Sequence, residues 1–298
     1  MMSTSIISAI ITVLTLFIGC GEKQTADAPV DRGPKEITVT LDDAPLMRYY
    51  THPSPWHRTL VVDSLMNAVQ RFSAPTTVFA IGNTVNEPGG RQLLDLFLQR
   101  GAMLGNHTMS HPNFAEISQD QARMEITGAQ AVLEPIAQGY GQQVRYFRFP
   151  QLSEGASIEQ RNQYQQMLAA NDLTNARVTI STDDWRYDAE YTELELAGEW
   201  EERYEVGQRY MQHIRDSIAL WERTADELTG RNIRHVMLLH ANRINRDYLG
   251  QILAELQAAG YTFISLDRAY QDPIYQQEAT WTSPNGTSFL EHLKQSQL

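Results

Sequence analysis

Short apolar, β-branched runs alternate along this chain with segments in which apolar residues recur every three or four positions. The short runs predict strands at 37–41, 76–82, 102–105, 144–149, 176–181, 234–240 and 261–266. The periodic segments predict helices at 60–72, 93–99, 118–137, 157–170, 199–228 and 249–259. This β–α order predicts a parallel sheet with helical crossovers, either a barrel or an open doubly wound sheet.

Polar residues cluster where predicted strands end. In chain order they are Asp42 and Asp43, His107 and His111, Arg148 with Pro150, Asp183 with Asp184 and Trp185, and His240. Taken singly, each has an ordinary explanation, such as a solvated turn for the two aspartates. In a parallel α/β fold, however, the carboxyl ends of all strands share one edge, where active sites lie. The clusters are therefore expected to converge.

The residue types in these clusters indicate metal chemistry. His107 and His111 are four residues apart, a spacing at which one helical turn would bring both rings to the same side. Two histidines and one carboxylate form a common ligand set for a divalent metal with open positions. If one of the two aspartates binds the metal, the other is free to take a proton from the water that the metal activates.

The remaining polar groups supply a second proton carrier and its support. His240 can act on the leaving-group side. Arg148 can keep a neighbouring carboxylate ionised, and Asp184 can keep His240 protonated. This constellation suits metal-assisted hydrolysis of an acyl bond.

The ordered motifs "TLDD" (40–43), "HTMSH" (107–111), "RFP" (148–150), "DW" (184–185) and "LLH" (238–240) resemble those of the polysaccharide deacetylases, carbohydrate esterase family 4, with its NodB-homology domain. The resemblance runs from about residue 37 to residue 270 and implies a distorted (β/α) barrel of about seven parallel strands. It implies one divalent metal ion, zinc first and cobalt or manganese as alternatives. The implied metal ligands are Asp43, His107 and His111.

The resemblance also implies a role for each remaining motif residue. Asp42 is the implied general base, contacted by Arg148, and His240 is the implied general acid, paired with Asp184. The implied substrate and oxyanion contacts are Gln151, Pro150, Trp185 and Leu238, with Leu238 lining a pocket for the acetyl methyl group. The implied reaction removes acetyl groups from an N-acetylated glycan such as peptidoglycan, a chitin-like polymer or a secreted polysaccharide.

Two positions depart from the family pattern. Ala44 stands where a glycine usually follows the aspartate pair, and Gln151 stands where an aromatic residue usually closes the third motif. The backbone N–H of Gln151 can still serve an oxyanion. These departures leave two alternatives open beside the N-deacetylase: an O-acetyl glycan esterase, and a catalytically silent glycan-binding protein of the same fold. A metal-free glycosidase using Asp42 and Asp184 is a third alternative, which leaves the histidine pair unexplained.

The N-terminal residues predict export. Residues 6–19 are nearly all apolar and uncharged, which is typical of a signal-peptide h-region, and Cys20, the only cysteine, follows directly. We expect a signal peptide of the lipoprotein type at 1–19, a lipid anchor on Cys20 and a flexible tether at 20–36. A plain secretory signal or a short anchor is the alternative. Each of these places the protein outside the cytoplasm, in the periplasm or at the cell surface.

The net charge limits the possible partners of the protein, and the length limits the number of domains. The formal net charge of −12 over 298 residues argues against nucleic acid as a partner, since that needs a basic patch. We expect one catalytic domain at 37–271, with a helical insertion at about 185–230 that adds a wall beside the site. The C-terminal extension at 272–298 receives no role, and the oligomeric state cannot be read from the sequence.

Overall fold

The computed structural model describes residues 32–47 and 54–298. Its strands are β1 (Glu36–Ala44), β2 (Thr76–Ala80), β3 (Met103–Asn106), β4 (Tyr146–Phe147), β5 (Thr174–Asn175), β6 (Ile180–Ser181), β7 (Arg234–His240) and β8 (Thr262–Phe263). Seven of them lie side by side in the order β5-β4-β3-β2-β1-β7-β6, and β8 pairs with β1. All pairings are parallel, which confirms the predicted distorted (β/α) barrel.

Helices connect the strands and cover the sheet. They are α1 (Pro55–Arg71), α2 (Gly82–Asn86), α3 (Gly90–Gln99), α4 (Gln119–Gln138), α5 (Ile158–Ala169), α6 (Asp184–Ala197), α7 (Trp200–Thr229), α8 (Arg243–Ala258), α9 (Leu266–Ala269) and α10 (Phe289–Gln295). Apolar faces such as Leu94 and Phe97 of α3 and Leu249 and Leu253 of α8 are buried in one core with the central strands. No helix among residues 32–47 and 54–298 is both long and apolar enough to span a membrane.

Several sequence predictions differ from the structure. The predicted strand at 176–181 is wrong for most of its length, since pairing is confined to β5 before it and to β6 at its end. The insertion at 185–230 holds two helices, α6 and α7, where only the longer one was predicted. Helix α6 has almost no apolar periodicity, because it buries polar residues such as Asp184 and Asp188. Helix α8 begins six residues before its predicted start at 249.

Both ends of the described chain make specific contacts with other segments. Residues 32–36, predicted as the end of the tether, make contacts that include the ion pair between Glu36 and Arg234. The predicted signal peptide, Cys20 and the rest of the predicted tether lie outside the described residues. At the other end, Phe289 of α10 donates its backbone N–H to the carbonyl oxygen of Val178 at 2.7 Å.

Ser118 and Gln121 form a capping box at the start of α4: each side chain accepts a hydrogen bond from the other residue's backbone N–H. We expect Ser118→Ala to lower the free energy of unfolding by about 1 kcal/mol, because one N–H of the first turn loses its acceptor. Ser118→Asp should keep most of that stability, since aspartate caps equally well. Urea denaturation measures both variants, and equal losses in the two would contradict the cap.

Candidate active site

A bulge in β1 places two adjacent carboxylates at one site. In a regular strand, Asp42 and Asp43 would point to opposite faces. The pairing register of β1 with β2 shifts between Leu41 and Ala44, and Asp43 has a φ of 59°. The bulge turns the second carboxylate, so that Nε2 of His107 lies 3.9 Å from Asp42 Oδ2 and 3.4 Å from Asp43 Oδ1.

Asp42 is held by Arg148. Nη1 of Arg148 donates to both carboxylate oxygens at 3.1 Å, and the two residues are 2% and 0% exposed. The other two guanidinium nitrogens also donate, Nη2 to Thr40 Oγ1 at 3.2 Å and Nε to the carbonyl oxygen of Ala176 at 2.6 Å. The guanidinium also lies 4.5 Å from the ring centre of Phe79. The buried charge of Asp42 is thus compensated and its position is fixed.

Asp43, His107 and His111 form a group that fits a metal ion. Oδ1 of Asp43 lies 3.4 Å from His107 Nε2 and 3.3 Å from His111 Nε2. This oxygen is buried and, among the described residues, has no hydrogen-bond partner of acceptable geometry. Nδ1 of His107 lies 2.8 Å from the carbonyl oxygen of Arg148, which can only accept, so Nδ1 carries the proton in the neutral ring. The lone pair of Nε2 therefore faces a carboxylate oxygen, an arrangement that a cation between them would satisfy.

The charge states of these groups also suit a metal. Burial alone would raise the pKa of Asp43, but His107, His111 and His240 around it lower the pKa below its ordinary value. Burial lowers the pKa of His111 to about 4, although the charge of Asp43 opposes that shift. At neutral pH the group thus presents an ionised carboxylate and a neutral imidazole, the forms that bind metals.

The histidine pair is brought together by a loop. The prediction that one helical turn aligns the two rings is wrong, because residues 107–111 are not helical. Thr108 and His111 have φ values of 69° and 64°, in the left-handed region. Thr108 Oγ1 accepts the backbone N–H of His111 at 2.9 Å. The ring centres of the two histidines are consequently 4.9 Å apart.

His240 is paired with Asp184 on the other side of β1. Asp184 Oδ1 lies 2.6 Å from His240 Nδ1, and Oδ2 accepts the backbone N–H of His240 at 2.9 Å. Burial alone would lower the pKa of His240, but the charge and hydrogen bond of Asp184 outweigh it and raise the pKa to about 10. His240 is therefore protonated at neutral pH and can donate a proton through Nε2.

Sequence reasoning missed the residues that hold Asp184. Oδ2 of Asp184 accepts from Nδ2 of Asn242 at 3.0 Å and from Nδ2 of Asn245 at 2.6 Å. Tyr210, on α7 of the insertion, donates its hydroxyl to Asn245 Oδ1 at 2.5 Å. A helix-start signal was present, because Asn242 caps α8 by accepting the backbone N–H of Asn245. The insertion is thereby connected to the catalytic candidates.

The four predicted substrate contacts lie on neighbouring parts of the same edge. Leu238 precedes His240 by two residues in β7, so both side chains lie on one face of the strand. Pro150 is buried and Gln151 is exposed with a φ of 56°, directly after the strand that leads to Arg148. Trp185 follows Asp184 and is 47% exposed. Ala44 lacks the positive φ that a glycine would permit, because Asp43 takes it instead.

Part of the chain matches a known protein family. The profile named "Polysaccharide deacetylase" matches residues 30–170, which contain the first three motifs. Over these residues the chain is similar to the polysaccharide deacetylase family. It is 31% identical over 125 residues to a chitooligosaccharide deacetylase of Azorhizobium caulinodans, covering 41% of this chain and 51% of that one. It is 25% identical over 105 residues to a peptidoglycan-N-acetylglucosamine deacetylase of Bacillus cereus, covering 35% and 33%.

Solved structures of this family share the fold. The peptidoglycan deacetylase PdaC of Bacillus subtilis superposes with a TM-score of 0.52 at 20% identity, over 81% of this chain and 93% of that one. A carbohydrate esterase family 4 pseudoenzyme of Bacillus anthracis superposes with a TM-score of 0.52 at 17% identity, over 78% and 63%. The matched segment spans about half the length of the Azorhizobium relative and a third of the Bacillus cereus one.

The Asp184–His240 pair predicts an unusual titration. In metal-free protein, the NMR titration midpoint of the His240 ring should lie near pH 10, and Asp184→Asn should move it down, because the partner charge is lost. Since the folded-state pKa is raised, the pair stabilises the fold below the ordinary histidine pKa, and this contribution disappears as pH rises through about 10.

His235 provides the internal control for this titration. Burial lowers its pKa to about 4, and Thr179 Oγ1 lies 3.1 Å from its Nδ1, away from Asp184. Its midpoint should be the same in both proteins. An unchanged His240 midpoint in Asp184→Asn would contradict the pairing.

Proposed function

We propose that this chain is a metal-dependent hydrolase that removes acetyl groups from N-acetylated glycans. The observation that carries the proposal is the convergence of the Asp43, His107 and His111 group with two supported proton carriers, Asp42 and His240. The names of the relatives support an N-acetylated glycan as the substrate class.

Asp43, His107 and His111 would hold the metal ion, zinc in the first place and cobalt or manganese as alternatives. Bound there, such an ion would polarise the scissile carbonyl and make the attacking water more acidic. The protein fixes the donor atoms beforehand: the carbonyl of Arg148 orients the ring of His107, and the hydroxyl of Thr108 holds the backbone of His111.

Asp42 is the proposed general base. Its carboxylate is fixed by Arg148 beside His107 Nε2, close to where the attacking water would lie. Arg148 orients the carboxylate, so Asp42 can accept a proton from that water as it attacks the carbonyl carbon.

His240 is the proposed general acid. Asp184 binds Nδ1, so Nε2 of the imidazolium remains to donate its proton to the leaving amine nitrogen. The backbone N–H of Gln151 would donate to the developing oxyanion. Leu238 would contact the acetyl methyl group, while Pro150 and the exposed ring of Trp185 would border the sugar.

One alternative loses support from the geometry. A glycosidase would need Asp184 to face the sugar together with Asp42. Asp184 is fully buried, and both of its oxygens already accept hydrogen bonds from His240, Asn242 and Asn245. Export and a lipid anchor on Cys20 remain proposals that rest on the apolar run at 6–19.

Acetate release tests the function directly. Zinc-loaded protein beginning after Cys20 should release acetate from at least one member of a panel of N-acetylated and O-acetylated glycans, and a chelator should abolish the release. Restoration by added zinc serves as the control for damage by the chelator. Ester turnover without amide turnover would replace the N-deacetylase by the O-acetyl esterase. No release from folded, metal-loaded protein would contradict the hydrolase.

Substitutions of the two neighbouring aspartates should have different effects. Asp42→Asn should keep zinc bound and lower kcat by about 10²- to 10⁴-fold, because only the proton acceptor is lost. Asp43→Asn should weaken zinc binding itself, since a neutral amide replaces an anionic ligand. Calorimetric zinc titration beside acetate assays distinguishes the two, and equal zinc affinities in both variants would contradict the division of roles.

A further inference from the structure

The C-terminal extension contacts two loops of the active site through one tight turn. Residues 283–287, here called the C-terminal turn, are closed by a hydrogen bond from the backbone N–H of Gly286 to the carbonyl oxygen of Ser283 at 3.2 Å. The carbonyl oxygen of Pro284 accepts from Ser153 Oγ at 2.9 Å and from Asn113 Nδ2 at 3.5 Å. One carbonyl group thus joins the loop after His111 to the loop after Pro150.

Gly286 lies directly against the backbone of Gln151. A Cβ atom added to Gly286 would lie 1.8 Å from the carbonyl oxygen of Gln151 and 2.8 Å from the carbonyl carbon of Leu152. Gln151 and Leu152 have φ values of 56° and 57°, which are unfavourable for residues with side chains. Such conformations persist only where neighbouring structure enforces them, and the contacting glycine supplies that neighbour.

The C-terminal turn is held by hydrogen bonds on both sides, so its own position is fixed relative to Gln151. Before it, the buried guanidinium of Arg161 donates from Nη2 to the carbonyl oxygen of Ala279 at 2.6 Å. After it, Ser288 Oγ donates to the carbonyl oxygen of Thr179 at 3.0 Å. The extension is therefore fastened to α5 and to the segment before β6.

The loop that carries Gln151 is also held at its other end, where it begins at Arg148, next to the proposed metal ligand His107. Arg148, three residues before Gln151, accepts from His107 through its carbonyl oxygen and donates to Asp42 through its side chain. Both ends of the loop that carries the proposed oxyanion donor are thus anchored, one at the metal group and the other at the C-terminal turn.

We propose that the C-terminal turn is a positioning element of the active site, which fixes the backbone N–H of Gln151 where the oxyanion develops. This inference rests on the proposed function. It assigns a role to the extension at 272–298: Gly286 and the carbonyl of Pro284 act through the Gln151 loop and do not touch the reacting atoms.

Gly286→Ala tests the proposal, with Gly141→Ala as the matched control. Both glycines have a φ of 68°, but a Cβ at Gly141 would meet nothing within 4 Å. The two variants therefore share the backbone strain, and only Gly286→Ala displaces Gln151. We expect Gly286→Ala to lower kcat by about 10²-fold, the typical cost of a misplacement of about 1 Å. Zinc affinity and KM should stay at wild-type values, and Gly141→Ala should keep wild-type kcat.

Ser153 provides a milder second test in case Gly286→Ala fails to fold. Ser153→Ala removes the hydrogen bond to the Pro284 carbonyl and should lower kcat, whereas Ser153→Thr keeps the hydroxyl and should restore it. Wild-type kcat in folded, zinc-bound Gly286→Ala would overturn the inference. So would equal kcat values in Ser153→Ala and Ser153→Thr.

Backbone NMR separates this inference from the proposed function. The amide resonances of Gln151 and Leu152 should shift in Gly286→Ala and stay unchanged in Gly141→Ala, whether or not the wild-type protein releases acetate. An inactive wild-type protein would contradict the proposed function alone. Unchanged Gln151 resonances in folded Gly286→Ala would overturn the positioning role.

Discussion

Two adjacent carboxylates can both remain ionised in a buried site only if each has its own positive partner. At an effective dielectric constant of 20, two unit charges 4 Å apart repel by about 4 kcal/mol. Asp42 meets the guanidinium of Arg148. Asp43 faces two imidazoles, and a cation held with them would complete its environment. The bulge in β1 makes this possible, because it allows Asp42 and Asp43 to contact different partners within one site.

The supports of the site come from distant parts of the chain. Arg148 binds Asp42 through its side chain and His107 through its backbone carbonyl oxygen, so the proposed base and a proposed metal ligand share one anchor. On the opposite side, Tyr210 of the insertion reaches Asp184 through Asn245. The helical insertion thus contributes to the position of His240, the proposed proton donor.

The sequence was sufficient for what depends on short segments. Alternating periodicities predicted the parallel α/β order, and the position of polar residues after strands predicted that the aspartate pair would meet His107 and His111. Only the family resemblance implied that Asp43, rather than Asp42, joins the two histidines. Geometry that depends on distant contacts was not predictable. The bulge at Asp43 breaks strand alternation, and the left-handed residues Thr108 and His111 replace the expected helical turn.

The contacts that support the site were also beyond sequence reasoning, because they join segments far apart in the chain. Asn245 contacts Tyr210 only because α7 and α8 pack together. Gly286 contacts Gln151 only because the C-terminal extension folds back onto that loop. A polar helix such as α6 lacks the apolar period by which a helix is recognised, since the residues that it buries are largely polar.

X-ray absorption spectroscopy of the zinc-loaded protein tests the central claim most directly. The account predicts a first shell of nitrogen and oxygen atoms at about 2.0–2.2 Å. The multiple scattering should be that of two imidazoles, and it should be reduced to one imidazole in His111→Ala. A spectrum without imidazole scattering, or one that His111→Ala leaves unchanged, would contradict the assignment of Asp43, His107 and His111 as the metal site.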